Sequence, residues 1–150
     1  MANILRRGLM ASVLALAAPL TFAQQPTIKI GLLTIDSGPF ATYANLMETG
    51  AKTAVEILNA EGGALGRKFE VVVQAHSGTP QAALAAAQRL AQQGVVMISG
   101  QTLSSHTLAL LPRLEQMNVL HIDSYAQTNE TLQKTCSPNY FRVNTPDALT

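Results

Sequence analysis

The sequence predicts an α/β fold in which a parallel sheet is flanked by helices. From residue 27 onward, short apolar runs of strand length alternate with longer segments whose apolar residues recur every three or four positions. Hydrophobic residues make up 47% of the chain and charged residues 13%, which is typical of a folded globular domain. Strands that alternate with helices form right-handed βαβ units, and such units bury a parallel sheet between two layers of helices.

The first 23 residues have the layout of a secretory signal peptide. Arg6 and Arg7 form a short basic start, and residues 9–20 are an uncharged run rich in alanine and leucine. The small residues Thr21 and Ala23 then precede a polar segment. The apolar run is shorter than the roughly 20 residues that cross a bilayer, so a membrane anchor is the less favoured alternative. We expect cleavage after Ala23 and a periplasmic location.

The first predicted unit is strand, helix, strand. Residues 28–33 form an apolar run that predicts a buried strand. Residues 40–59 predict a helix with one apolar face, made of Ala44, Met47, Ala51, Val55 and Leu58. The helix is predicted to end at Gly62 and Gly63, because glycine readily takes the left-handed conformation that closes a helix. Residues 69–74 predict the second strand.

A second helix and a third strand follow. The hydroxyl of Thr79 suits the position that caps a helix, and Pro80 suits the first helical position. The inner face of this helix is predicted to consist of Ala83, Ala87, Leu90 and Ala91. Gly94 is predicted to end the helix, and residues 95–98 predict the third strand.

The last part of the pattern contains a third helix with a proline inside it. This helix is predicted to run from Ser104 or Ser105, acting as its N-cap, to about Gln116. Pro112 should kink it, because proline removes one backbone hydrogen bond. Beyond it, the sequence predicts a fourth strand, one helical turn and an extended piece at residues 119–122, 128–132 and 140–143.

The sequence lacks the motifs of common enzyme and nucleic-acid-binding classes. The segment GLLTIDSGP has no G-x-G-x-x-G pattern, and GGALGR lacks the G-K-[ST] of a phosphate loop. Ser104, Ser105, His106 and Asp123 do not form a hydrolase motif, because SGQTLSSHT is not G-x-S-x-G. The three histidines have no metal-ligand spacing, and no basic stripe is present. We therefore predict no catalysis, no cofactor, no metal and no nucleic-acid partner.

Cys136 is the single cysteine of the sequence. An unpaired thiol is unusual in an exported protein, since disulfides form in oxidising compartments. Cys136 is either a buried free thiol or a thiol whose partner lies outside this sequence, and we expect the latter.

Polar loops are predicted at the carboxyl edge of the sheet, where parallel α/β sheets bind ligands. The loop of residues 99–105 supplies hydroxyl and backbone N–H groups that suit a small carboxylate. The alternative role of Ser104 is that of a helix cap. Tyr43 follows the loop after the first strand, with ordinary packing as its alternative role. The polar loop of residues 123–129 lies on the same edge. Together these three loops predict a small-molecule site.

Several segments resemble the leucine/isoleucine/valine-type periplasmic binding proteins of ABC transporters. They are IKIGLLTIDSGPFATYA, GAKTAVEILNAEGGALGRKFEVVV, PQAALAAAQRLAQQGVVMISGQTLSSHT and FRVNTPDA. The combination of SGP-x-x-x-Y with NAEGGALGRK is the most specific part of the resemblance. It extends over residues 27–150.

The resemblance implies a protein of two α/β lobes that close over a ligand at a hinge. It implies that Tyr43 lines the cleft and that Ser104, with Ser105 beside it, holds the ligand carboxylate. Ala126 and Thr128 match the pair that binds the ammonium and carboxylate groups through a carbonyl and a hydroxyl, once one inserted residue is allowed before Ala126. His76 stands where the family often has an acidic residue, and DSYAQTN lacks the proline-rich character of the amino-acid binders.

These departures leave several ligand classes open: branched-chain amino acids, aromatic acids, amides or urea. Residues 24–144 are predicted to form the first lobe and residues 145–150 to begin the crossing to a second lobe that this sequence lacks. The predicted function is capture of a small solute in the periplasm and its delivery to a membrane permease. The alternatives are a ligand-sensing receptor ectodomain with the same fold and, less favoured, a secreted α/β enzyme.

Overall fold

A computed structural model describes residues 26–100 and 102–145, which contain a five-stranded sheet. Every pair of neighbouring strands is parallel, and the strand order is β2-β1-β3-β4-β5. The strands are β1 (Ile28–Ile35), β2 (Phe69–His76), β3 (Met97–Gly100), β4 (Leu120–Asp123) and β5 (Tyr140–Arg142). The predicted parallel α/β sheet is therefore confirmed. The predicted signal peptide and nearly all of the predicted crossing lie outside the described residues.

Five α-helices are present in the described part: α1 (Ala44–Ala60), α2 (Pro80–Gln92), α3 (Ser104–Leu110), α4 (Leu114–Met117) and α5 (Glu130–Gln133). The predicted first helix begins as the 3-10 helix Gly38–Tyr43, which has Pro39 in its first turn. The predicted third helix is divided into α3 and α4 by the 3-10 turn Leu111–Arg113, which contains Pro112. The proline kink is thus confirmed, and its physical form is a tightened turn.

The core lies between the sheet and helices α2 and α3. Leu33, Leu90, Ile98, Leu110 and Leu114 are all fully buried. The Oγ1 atom of Thr79 accepts a hydrogen bond from the Ala82 N–H at 3.2 Å, so the predicted cap of α2 is confirmed. The predicted inner residues Ala83, Ala87 and Leu90 are buried, and Ala91 packs partly buried against them.

The opposite face of the sheet is covered by α1 over β1 and β2. All 17 residues of α1, which the structure describes in full, keep some exposure to solvent. Leu58 was predicted to face inward, but it is 43% exposed, so this prediction is wrong. The inward position in that turn belongs to Asn59, whose Oδ1 accepts from the Phe69 N–H at 2.7 Å and whose Nδ2 donates to the Phe69 carbonyl at 2.9 Å.

Beyond α1, the same face is open over β4 and β5. Leu120, Phe141 and Val143 are between 42% and 69% exposed. Phe141 pairs with Ile122 in the sheet register, so these apolar side chains share one face. Within the described residues, no helix is long and apolar enough to cross a membrane.

Candidate functional site

Four loops meet at the carboxyl edge of the sheet, because β1 to β4 all run in the same direction. The strands reach further toward this edge than the sequence predicted. His76, Gly100 and Asp123 are strand residues, and the Ser99 hydroxyl, predicted to lie in a loop, donates to the Ile122 carbonyl at 2.8 Å inside the sheet. The edge is therefore built from strand ends as well as from loops.

Ser104 joins the loop after β3 to the loop after β4. Its Oγ atom accepts hydrogen bonds from the N–H groups of Gln127 at 3.4 Å and Thr128 at 3.3 Å. The N-cap position of α3 belongs to Leu103, whose backbone is extended, so the prediction that Ser104 or Ser105 is the cap is wrong. The Leu103 N–H instead meets the side chain of His106 at 3.3 Å. The Ser104 hydroxyl is thus directed at Thr128 across the edge.

Two further predicted residues lie in the loop after β4. Ala126 is 2% exposed, and its N–H donates to Asp123 Oδ1 at 2.9 Å. The Thr128 Oγ1 atom accepts from the Glu130 N–H at 3.4 Å, and the Thr128 carbonyl accepts from Arg142 Nη1 at 2.7 Å. The same Nη1 also donates to the neighbouring carbonyl of Gln127 at 3.0 Å. Arg142, which sequence analysis did not select, therefore fixes the peptide groups of this loop from β5.

Tyr43 and Ser105 are at the same edge but lie more in solvent. Tyr43 is the last residue of the 3-10 helix and is 50% exposed, and Ser105 is exposed in the first turn of α3. Phe40, in the segment after β1, contacts Tyr125, in the loop after β4. The two ring centroids are 6.3 Å apart, and the rings meet at an interplanar angle of 87°. Edge-to-face pairs of this kind are favourable arrangements of aromatic rings.

A fully buried carboxylate, Asp123, organises the loop after β4. Its Oδ1 accepts from the N–H groups of Tyr125 and Ala126, both at 2.9 Å, and from the Thr102 hydroxyl at 3.2 Å. Its Oδ2 accepts from the hydroxyls of Thr107 at 2.6 Å and Tyr140 at 3.2 Å. The His121 Nε2 atom is 3.7 Å from Oδ2, too far for a hydrogen bond.

These contacts keep Asp123 ionised. Burial raises the pKa of its carboxyl, but the nearby His121 ring and the hydrogen bonds from Thr107, Tyr125 and Ala126 outweigh burial and lower the pKa to about 2. Burial, together with the negative charge of Asp123, raises the pKa of Tyr140 to about 12, against the opposing effect of its contact with Thr131. The buried charge is therefore held by hydrogen bonds from two elements, α3 and β5, and from the loops after β3 and β4.

Two of the hollows on the surface of the described residues bear on the sequence predictions. One of about 400 Å³ borders the loop after β4 and is lined by Ser124, Tyr125, Gln127, Asn144 and Thr145. The other, of about 360 Å³, lies at the far end of α3 between Pro112 and Cys136.

Cys136 is exposed, so the alternative of a buried thiol is wrong, and pairing with a cysteine outside this sequence stays a prediction. Among residues 26–100 and 102–145, no cluster of metal-ligating side chains is present.

Known proteins match this chain over the segments that form the sheet and its helices. A family model described as periplasmic binding protein matches residues 27–150. The Leu/Ile/Val-binding protein of Escherichia coli K12 is 32% identical over 128 residues, which are 85% of this chain and 35% of that protein. The leucine-, isoleucine-, valine-, threonine- and alanine-binding protein of Pseudomonas aeruginosa is 34% identical over 104 residues, or 69% of this chain and 28% of that protein.

Solved structures agree with this match. The branched-chain amino acid transporter substrate-binding protein of Streptococcus pneumoniae, in complex with isoleucine, has a TM-score of 0.72 at 28% identity over 81% of this chain and 35% of its own. An ABC-transporter solute-binding protein of Rhodopseudomonas palustris, in complex with 3,4-dihydroxybenzoic acid, has a TM-score of 0.68 at 25% identity over 80% and 32%. The chain thus spans about a third of the length of the proteins it matches. It belongs to the periplasmic binding protein family.

Proposed function

We propose that this protein is the solute-binding component of an ABC importer, which captures a small carboxylate in the periplasm and delivers it to a membrane permease. The observation that carries the proposal is the hydrogen bond from the Thr128 N–H to the Ser104 hydroxyl at the carboxyl edge of the sheet. Membership of the family and the carboxylate ligands of the two compared structures support it. Branched-chain amino acids and related small carboxylates or amides are the proposed ligands.

A carboxylate suits this site because the groups around it are donors. The nitrogens of the Gln127 and Thr128 N–H groups both lie within 3.4 Å of the Ser104 Oγ. A carboxylate oxygen that replaces the Ser104 Oγ as their acceptor would receive charge-assisted hydrogen bonds, which are stronger than those to a neutral oxygen. The Arg142 guanidinium on the neighbouring carbonyl groups keeps these N–H groups in place.

The remaining predicted residues would contact the rest of the ligand. We propose that Tyr43 packs along its body, because a half-exposed ring offers apolar surface at the edge. Ser105 would assist Ser104 at the carboxylate. For an amino-acid ligand, the Ala126 carbonyl would accept from the ammonium group, and the Thr128 hydroxyl would donate to the carboxylate.

We expect Ser104→Ala to weaken ligand binding about tenfold to a hundredfold, because a hydroxyl bond to a charged group contributes roughly 1.5–3 kcal/mol. Titration calorimetry of the full-length protein with isoleucine and with 3,4-dihydroxybenzoate measures this effect. Ser137→Ala is the matched control, since its hydroxyl also accepts a backbone N–H, that of Asn139 at 3.2 Å, away from the carboxyl edge. Unchanged affinity together with a lower melting temperature would reject the carboxylate role.

We also infer that residues 24–144 form the first of two lobes and that a second lobe closes over the ligand. The share of about a third that this chain covers in its relatives supports the inference. Residues 145–150 would then begin the crossing between lobes. Half of the ligand contacts would come from that second lobe.

Export to the periplasm is proposed from the basic start and apolar run of residues 1–23. We expect the protein recovered from a periplasmic extract to begin at Gln24. Intact-mass spectrometry of that extract measures the new terminus. A protein that keeps Met1 in the cell envelope would contradict this prediction.

A further inference from the structure

Two buried histidines hold the same residue of the loop after β2. His76, the last residue of β2, and His106, in the first turn of α3, are 4% and 0% exposed. The Gly78 N–H donates to His76 Nδ1 at 3.2 Å, and the Gly78 carbonyl lies 2.9 Å from His106 Nε2. The two rings meet edge to face, with centroids 5.1 Å apart. Gly78 is thereby fixed in a conformation with a φ of 84°.

The hydrogen bonds of His106 define its protonation state. The Leu103 N–H donates to Nδ1 at 3.3 Å, so Nδ1 must carry a lone pair. The proton of the neutral ring is then on Nε2, which donates to the Gly78 carbonyl. A second proton on Nδ1 would face the Leu103 N–H and break that contact. The observed arrangement therefore requires neutral His106.

We propose that His106 is a positioning residue of the ligand site: its neutral ring holds Leu103, and through it the adjacent Ser104, so that protonation of His106 releases the carboxylate-binding hydroxyl. This inference rests on the proposed function. Ser104 follows Leu103 directly in the chain, and its hydroxyl bridges to Thr128. His106 also ties the loop after β3 to the loop after β2, so that one ring sets the spacing of two loops at the edge.

The surroundings of the ring favour the neutral form. Burial lowers the pKa of His106, against the opposing effect of its hydrogen bond to Gly78. The titratable side chain that contacts the ring is His76, and a charge on both rings would be repulsive. The carboxylate of Asp123 contacts the next residue, Thr107.

Other elements packed on α3 are α2, the 3-10 turn Leu111–Arg113 and α5. Their charged side chains are exposed: Arg89, Arg113 and Glu130. These groups lie in water, where their effect on a buried ring is weak. Because the pKa of His106 is lowered in the folded protein, the unfolded chain takes up this proton first. The stability that the neutral ring contributes is therefore complete above about pH 6.5 and declines below it, while the folded protein keeps the ring neutral to a lower pH.

The test compares amide hydrogen exchange of Leu103 and Thr128 by NMR between pH 5 and pH 7.5, after correction for intrinsic exchange rates. In the wild-type protein, protection of both amides should fall about fivefold or more as the pH decreases. His106→Asn supplies an oxygen near the position of Nδ1 but does not titrate, so Leu103 should stay protected at every pH. His106→Leu removes both contacts, and protection should be low throughout.

The same variants are then titrated with isoleucine and 3,4-dihydroxybenzoate. As the pH decreases from 7.5 to 5, the ligand affinity of the wild-type protein should decrease in parallel with the protection of the Leu103 amide. The ligand affinity of His106→Asn should not depend on pH in this range. Protection that does not change with pH overturns the inference, while the result for Ser104→Ala still decides the proposed function. A pH response that survives in His106→Asn, which keeps His76 and His121, assigns the proton elsewhere and also overturns it.

Discussion

Replacement of Asp123 by alanine should lower the free energy of unfolding by about 3–5 kcal/mol, because it removes the acceptor of a buried hydrogen-bond network. Five donors would lose this acceptor: the hydroxyls of Thr102, Thr107 and Tyr140 and the N–H groups of Tyr125 and Ala126. The Tyr140 hydroxyl would keep its contact with the Thr131 hydroxyl at 3.3 Å. Each buried donor left without an acceptor costs about 1–3 kcal/mol, although these costs are not additive. Urea-induced unfolding at pH 7 measures the change.

Asp36→Ala is the matched control for this measurement. Asp36 follows β1 at the same edge but is exposed, so its replacement should change stability by no more than about 0.5 kcal/mol. Asp123→Asn is informative as well, because an amide nitrogen would face the donors that now meet Oδ1 or Oδ2. A loss below about 1 kcal/mol for Asp123→Ala would show that the network is not a main source of stability.

The ionised state of Asp123 adds a pH dependence of known sign. Its pKa of about 2 in the folded protein lies below the ordinary value of 3.8, so the unfolded chain binds the proton more readily. The stabilisation is complete above the ordinary value and is lost as the pH falls from about 3.8 toward 2. Asp123→Asn should remove this part of the acid sensitivity.

The fold could be predicted from sequence because apolar periodicity decides it. Each predicted strand and helix is present, because the spacing of Leu, Val, Ile and Ala predicts which faces of the strands and helices are buried. The misplaced residue Leu58 shows the limit of that rule. Helical spacing alone does not reveal that Asn59 contacts the Phe69 backbone and takes the inward position.

The candidate site was predicted in part. Sequence analysis placed Ser104 and Thr128 at one edge, and the structure brings them within hydrogen-bonding distance. It did not assign roles to Asp123, His106 and Phe40, because their partners are distant in sequence and depend on how the loops pack. A signal for Asp123 was available, since a carboxylate that directly ends an apolar strand must find buried donors.

The capping role of Ser104 failed for a related reason. Serine is a common N-cap, but the N–H groups of His106 and Thr107, which a capping Ser104 would accept from, already donate to the Leu103 carbonyl at 2.8 Å and 3.0 Å. The serine hydroxyl turns to the loop after β4 instead. The preference of serine for the N-cap position is an average over many helices. Side chains at the carboxyl edge of an α/β sheet often depart from such averages, because functional sites violate local rules. The residues at which sequence rules fail are therefore informative about the site.

Gly100→Ala should destabilise the protein by more than about 3 kcal/mol, because this glycine lies against the backbone of the neighbouring strand. Gly100 ends β3 with a φ of 118°, a conformation that side chains rarely adopt. A Cβ atom there would lie 2.2 Å from the Leu33 carbonyl oxygen and 2.9 Å from the Leu33 nitrogen. Because both are backbone atoms of the interior strand β1, relief requires β1 and β3 to separate.

Gly50→Ala provides the control for this last prediction. Gly50 is an exposed residue within α1, and a Cβ atom there would meet nothing within 4 Å. Alanine favours a helix over glycine by about 0.5–1 kcal/mol, so Gly50→Ala should raise the melting temperature while Gly100→Ala lowers it sharply. Thermal unfolding followed by circular dichroism measures both. Equal melting temperatures for Gly100→Ala and the wild-type protein would mean that β1 and β3 do not approach as closely as described.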